Sequence, residues 1–292
     1  MAKQRRSLNG KVVAITGGAR GIGKATATAL VARGCRVALG DLDLELAERT
    51  ASGLGGGTIA LPLDVTDRAS FETFLAETER QLGPVDAVIN NAGIMPVTPF
   101  DREGEDSVHR QVDINLHGVI TGTQLAIGRL RPRGGGWIVN IASQAGKGGI
   151  PGIATYSATK HAVVGLSEAV RAELRGTGVE VVCVMPTVVN TELTSGVGQR
   201  WIKPVEPEDV ANEIVDAMEV PRFDVFVPRV NGVLFKVTQM LPRAWREAIG
   251  RAMGIDKLMF EVDHGARRAY EERAAAGKRA AADRQPPQRD AA

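Results

Sequence analysis

The feature that most constrains this chain is a change of periodicity near its start. Lys11-Val12-Val13-Ala14-Ile15-Thr16 is a short run, apolar without a break from Val12 to Ile15, and it passes through Gly17-Gly18-Ala19-Arg20-Gly21-Ile22-Gly23 into an Ala-rich helical pattern reaching Arg33. A run that is apolar at successive positions fits a strand buried on both faces. Glycines let the turn bend tightly and approach a ligand, and the amides opening the helix then point at an anion. Strand, glycine turn and helix in that order make a phosphate-binding site for a dinucleotide, which glycines alone would not.

A second strand, Arg36-Val37-Ala38-Leu39, ends in Gly40-Asp41. A carboxylate roughly 20 residues past the first glycine can accept hydrogen bonds from the adenosine ribose and repels a 2′-phosphate. Leu42, next to it, brings no cation. Arg20 lies in the turn and could reach a 2′-phosphate, but the charge of Asp41 sits nearer the hydroxyl in question, so NAD is expected over NADP. Asp41 could also cap the helix that follows.

The alternation continues. Thr58 to Leu63 with Asp64-Val65, a helix from about Asp67 to Gln81, and Val85 to Asn90 closing in Asn91-Ala92-Gly93 repeat the pattern. A long helix from about Glu103 to Arg131 holds Asn115 in its interior, where an amide is mildly unfavourable. A fifth strand, Trp137 to Ala142, delivers Ser143; after a glycine-rich loop, a helix running to about Arg175 carries Tyr156 and Lys160. Val179 to Met185 is a sixth strand, and a helix from Pro207 to Met218 precedes the strand Phe223 to Val227. Strands interleaved with helices predict a Rossmann-like, doubly wound α/β fold, a parallel sheet of about seven strands flanked by helices, with a C-terminal helical extension. Pro186 to about Pro207 is too long for an ordinary connection and reads as a lid or binding loop.

Tyr156 and Lys160 are four residues apart on one helix and therefore project from the same face. A free phenol titrates at about 10, and a nearby cation favours the phenolate. The pair is a candidate proton carrier beside the dinucleotide site.

The bulk properties limit the alternatives. With 292 residues, 43% hydrophobic and 24% charged, the chain can form one sizeable core. A net charge of +2 spread along the sequence argues against nucleic acid as the main partner. Cys35 and Cys183 lie in apolar runs, as buried thiols do, and a reducing cytosol fits. No metal site is expected. No apolar run reaches the roughly 18 residues of a membrane span, so a cytoplasmic protein, peripheral to a membrane at most, is expected. The expected organisation is a tail over 1–8, a dinucleotide-binding and catalytic domain over 9–228, an apolar helical extension over 229–263 and a charged tail over 264–292, a frayed helix and then a disordered end. Large apolar residues from Val233 to Phe260 alternate with Lys236, Arg243, Arg246, Arg251 and Lys257. That extension reads either as an interfacial element contacting a membrane or as a helix pair packed on the body or on another subunit.

From Leu8 to Pro228 the chain resembles the short-chain dehydrogenase/reductase family. It carries, in the family's order, Thr16-Gly17-x-x-x-Gly21-x-Gly23, Asp64-Val65, Asn90-Asn91-Ala92-Gly93, Asn115, Ser143 and Tyr156-x-x-x-Lys160. The resemblance implies that Tyr156 is the general acid/base, that Ser143 holds the substrate oxygen, and that Lys160 lowers the tyrosine pKa while binding the nicotinamide ribose. Asn115 would position a water in the proton relay. Gly17, Arg20, Gly21, Ile22, Gly23, Asp41, Asp64, Val65, Asn91, Ala92, Gly93, Tyr156, Lys160, Pro186, Val189 and Thr191 would bind the cofactor, Thr191 at the nicotinamide amide. One departure is Pro186-Thr187, where the family often has Pro-Gly. Family members commonly form tetramers through the helices bearing Asn115 and Tyr156, so a homo-oligomer, dimer or tetramer, is expected.

The implied activity is NAD-dependent interconversion of an alcohol and its carbonyl compound. Met95-Pro96-Val97, Ile150-Pro151 and Val188-Val189 supply apolar walls, so a lipophilic substrate is expected. The alternatives are an NADP-dependent carbonyl or acyl-thioester reductase, a silent cofactor sensor, and a peripheral membrane or assembly protein.

Overall fold

Alternate residues of the first strand face opposite sides of one sheet. Val13 and Ile15 of β1 (Val12–Thr16) join one apolar layer, and Val12 and Ala14 the other. The same two-residue period runs through β2 (Arg36–Asp41), β3 (Ile59–Pro62), β4 (Ala87–Asn90), β5 (Gly136–Ile141), β6 (Val179–Pro186) and β7 (Asp224–Val227). The computed structural model describes residues 5–196, 204–252, 254, 262–263 and 265–272.

The seven strands form a sheet in the order β3-β2-β1-β4-β5-β6-β7, every pair parallel. One face is packed by α1 (Gly21–Val31), α2 (Leu44–Leu54) and α7 (Pro207–Glu219), through residues such as Leu30, Ala51 and Ile214. The other is packed by α3 (Arg68–Leu82) and α5 (Gly118–Leu130), whose Phe71, Phe74, Leu125 and Leu130 are all but excluded from solvent. On this second face α4 (Glu105–Val112) runs into α5, and α6 (Ala154–Glu173), which carries the Tyr/Lys pair, packs beside α5 through Val163 and Val164. Strand order reverses between β1 and β4, so the ends of these two strands flank a crevice where such sheets bind ligands.

Three sequence expectations are corrected by the structure. Leu8, assigned to a tail, is only 2% exposed and belongs to the core, with Arg6 N donating to Glu219 O at 2.8 Å. The expected helix from Glu103 to Arg131 is interrupted by a π-helical turn at Asp113–His117, which contains Asn115. Asp43, not Asp41, caps α2 by accepting from Leu46 N at 3.1 Å. Residues 265–272, where a frayed helix is expected, form a helix, α10, that packs on the body. Its N-terminus is capped by Asp263, whose carboxylate accepts from Gly265 N at 2.8 Å. Residues 197–203, in the expected lid, and 273–292, in the expected tail, lie outside the described residues.

After β7, α8 (Val230–Gln239) and α9 (Arg243–Ala252) follow as a helical extension. Phe235 of α8 stacks on Phe226 at 5.8 Å, and Asn231 donates to Gln144 at 2.9 Å, which fixes α8 beside the loop after β5. No helix among the described residues is long and apolar enough to cross a membrane.

Candidate active site

The carboxyl ends of β1, β4, β5 and β6 open into one cleft of about 1670 Å³. Its adenosine-side wall is the turn after β1. Gly17 has φ +64°, a left-handed conformation, and a Cβ there would lie 3.0 Å from Ala92 Cα. Gly23 has ordinary dihedrals but no room: a Cβ would meet Gly17 O at 2.3 Å. Asn91 ties this turn to β4 by donating from Nδ2 to the carbonyls of Thr16 and Gly17, both at 2.9 Å. Thr16 Oγ1 in return accepts from the amides of Asn91 and Ala92 at 3.0 Å.

These residues fit a dinucleotide. α1 begins with no side-chain cap and no acid in its first turn, whereas α2 and α3 are capped by Asp43 and Asp67. Its opening amides therefore suit a pyrophosphate. Asp41, at the end of β2, lines the same cleft and accepts from Ala19 N at 3.0 Å and Asp43 N at 3.1 Å. Burial raises its pKa, and these two hydrogen bonds oppose the rise. Arg20, expected as a rival claim on a 2′-phosphate, is held between two acids, Asp43 at 2.7 Å and Glu192 at 3.1 Å.

At the other end stand Ser143, Tyr156 and Lys160. Ser143 caps a short 3₁₀ turn, Gln144–Gly146, its Oγ accepting from Ala145 N at 3.1 Å. Tyr156 is 8% exposed and Lys160 4%. Lys160 Nζ lies 5.6 Å from the Tyr156 ring centroid and donates to Ile141 O at 2.8 Å. Burial pushes the Tyr156 phenol up to about 12, while a hydrogen bond with Ser143 pulls it down. Burial also brings the Lys160 ammonium down to about 8. What lowers the phenol here is the Ser143 hydrogen bond and not, as expected, the Lys160 charge, and desolvation outweighs it.

Of the sequence-derived site residues, Gly17, Arg20, Gly21, Ile22, Asp41, Asp64, Val65, Asn91, Ala92, Gly93, Ser143, Tyr156, Lys160, Pro186, Val189 and Thr191 all line the cleft. Gly23 and Asn115 stand behind its wall. Asn115 Oδ1 accepts from Ile94 N at 2.8 Å and its Nδ2 donates to Ile94 O at 2.9 Å, so the amide splints the loop after β4. The π turn presents that side chain, which accounts for a polar residue inside a helix. Thr187 also lines the cleft, its amide donating to Val227 O at 2.9 Å.

Sequence reasoning missed Glu192, Arg267 and Tyr270. Tyr270 lines the cleft from α10 and its hydroxyl accepts from Met95 N at 2.7 Å. Arg267 and Glu271, four apart and 3.1 Å from one another, were a local sign of a helix there; nothing local signalled where it would dock.

The family model for short chain dehydrogenases matches residues 11–200. A sorbitol dehydrogenase of Cereibacter sphaeroides is 39% identical over 196 residues, 66% of this chain and 76% of the relative. The 17-beta-hydroxysteroid dehydrogenase 13 of Rattus norvegicus is 28% identical over 271 residues, 91% of this chain and 89% of that protein. Among solved structures, a short chain dehydrogenase/reductase from Burkholderia phymatum in complex with NAD has a fold similar to this one, with a TM-score of 0.73 at 24% identity, covering 79% of this chain and 93% of that one. Sequence, sheet order and cleft agree, and the chain belongs to the short-chain dehydrogenase/reductase family of oxidoreductases.

Proposed function

We propose that this enzyme is an NAD-dependent dehydrogenase that interconverts a lipophilic primary or secondary alcohol and its carbonyl compound, with Tyr156 carrying the proton. The observation that carries the reading is one continuous cleft with Asp41 and the glycine turn at one end and Ser143, Tyr156 and Lys160 at the other. A bound nicotinamide supplies hydride transfer. In reduction, the buried phenol of Tyr156 is in the protonated form needed to donate to a carbonyl oxygen, with Ser143 holding that oxygen. In oxidation, the same phenolic oxygen takes the hydroxyl proton, and the Lys160 charge beneath the ring favours the phenolate it needs.

The preference for NAD rests on charge. Asp41, Asp43 and Glu192 surround the single guanidinium of Arg20, leaving this corner of the cleft negative and unfavourable to a 2′-phosphate. The preference for a lipophilic substrate rests on the walls: Met95, Val97, Ala145 and Ile153 pack with Tyr156, and Ile150, Val188 and Leu193 border them. The likeness to a sorbitol dehydrogenase favours a second reading, a polyol substrate. Assays with NAD and NADP over straight-chain alcohols of increasing length, beside sorbitol, separate these readings. Higher kcat/KM with NAD and with longer alcohols is expected; turnover of sorbitol alone would replace the substrate reading.

The same reading covers substrate delivery. α8 exposes Val230, Val233, Leu234, Val237 and, just beyond it, Met240, while α9 adds Trp245 and Ile249 beside Arg243, Arg246 and Arg251. Leu234 and Ile249 also line the cleft. An apolar stripe flanked by arginines suits an anionic lipid surface, from which an apolar alcohol would pass directly to the cleft mouth. Flotation with anionic liposomes tests this; a dimer that buries α8 and does not float would assign the stripe to a second copy.

A further inference from the structure

Arg267 is 0% exposed, an unusual state for a guanidinium, which is costly to bury unless its donors are satisfied. They are satisfied by two different walls of the cleft. Nη1 donates to Leu193 O and Ser195 O, both at 3.0 Å, on the loop after β6. Nη2 donates to Met95 O at 2.7 Å, on the loop after β4. Nε pairs with Glu271 at 3.1 Å, and the guanidinium carbon sits 5.1 Å from the Tyr270 ring centroid. Three further bonds join α10 and its approach to the same loops: Tyr270 Oη accepts from Met95 N at 2.7 Å, Ser195 Oγ donates to Ala266 O at 3.1 Å, and Asp263 N donates to Gly196 O at 2.9 Å.

We propose that α10 is a clasp for the substrate end of the cleft. In it Arg267 is a positioning residue that sets the spacing between the loops after β4 and β6, and Tyr270 is a specificity-determining residue that closes the pocket. Two features support a role beyond anchoring a tail. The clasped residues Met95 and Leu193 are themselves apolar walls of the pocket around Tyr156. Tyr270 lines the cleft as well, near enough to Tyr156 to oppose its ionisation. A planar fork bonded to three carbonyls fixes their relative positions in a way that a lysine could not. The proposal rests on the alcohol/carbonyl reading for what the pocket admits, but not for the contacts themselves.

The test uses the full chain and the variants Arg267→Met, Arg267→Lys and Tyr270→Ala. The readouts are amide hydrogen exchange at Met95 and the ratio of kcat/KM for 2-octanol to that for 2-butanol, with NAD. Arg267→Met is expected to speed exchange at Met95 and to shift the ratio by about tenfold, while NAD affinity stays within about twofold, because only the substrate end loses its support. Tyr270→Ala is expected to raise the ratio by widening the pocket, and Arg267→Lys to fall between wild type and Arg267→Met. An unchanged ratio in folded Arg267→Met and Tyr270→Ala proteins would overturn the proposal and reduce α10 to an anchor. If wild type oxidises neither alcohol, the substrate reading fails. The clasp is then decided by exchange: unchanged protection at Met95 in Arg267→Met overturns it, and faster exchange sustains it.

Discussion

Lys160 Nζ lies 5.6 Å from the centroid of the Tyr156 ring and is anchored by a 2.8 Å hydrogen bond to the carbonyl of Ile141. One turn of α6 thus puts an ammonium beneath a phenol, and the end of β5 fixes its distance. Removing the phenolic oxygen tests its role most directly. Tyr156→Phe is expected to bind NAD as wild type does, by calorimetry, and to lose about 10²–10⁴ in turnover, the scale of a missing acid/base. Near-normal turnover would remove Tyr156 from the chemistry.

The burial of Lys160 makes a prediction about stability and pH. Its pKa is depressed in the fold, from 10.5 to about 8, by desolvation. Below pH 8 the folded protein therefore bears the cost of a buried charge. Between pH 8 and 10.5 the folded amine loses its proton before the unfolded one, so this contribution to stability rises with pH. Lys160→Met is expected to be more stable than wild type in urea at pH 7, with an advantage that shrinks as pH rises from 8 towards 10.5. A constant difference across that window would mean that desolvation is not the cause.

Asp41 is expected to set cofactor choice through its charge. Asp41→Ala removes the carboxylate at the end of β2 and frees the amides of Ala19 and Asp43 that it now accepts from. The ratio of kcat/KM for NAD to that for NADP is expected to fall by about tenfold or more, the scale of one hydrogen bond to a charged group. Unchanged kinetics with both cofactors would remove Asp41 from the selection.

Asn115 is expected to act through Ile94. Asn115→Ala breaks both bonds to the Ile94 backbone and leaves that amide and carbonyl without the partners they have now. A loss of about 1–3 kcal/mol in chemical denaturation is expected. Asn115→Asp keeps the acceptor for Ile94 N and loses the donor to Ile94 O, so it should fall between the two. Equal stability of all three proteins would contradict the splint.

The sequence determined a good deal by itself. Unbroken apolar runs at β1, β2 and β4 announced strands buried on both faces, and glycines at 17, 21 and 23 announced the phosphate turn, because those signals are local: a period, a missing Cβ, a fixed spacing along one helix. Other features were decided only when distant segments met. Whether Arg20 faces a phosphate or an acid depends on Glu192, 172 positions away. The ionisation of Tyr156 follows from how completely the fold excludes water and from its hydrogen bond to Ser143, 13 positions upstream, neither of which the Tyr/Lys spacing announced. Arg267 read as one more charge in a tail because its partners are carbonyls of Met95, Leu193 and Ser195, and backbone groups that every residue possesses leave no trace in composition. Periodicity and spacing encode what a segment forms, whereas desolvation and pairing depend on what it is folded against.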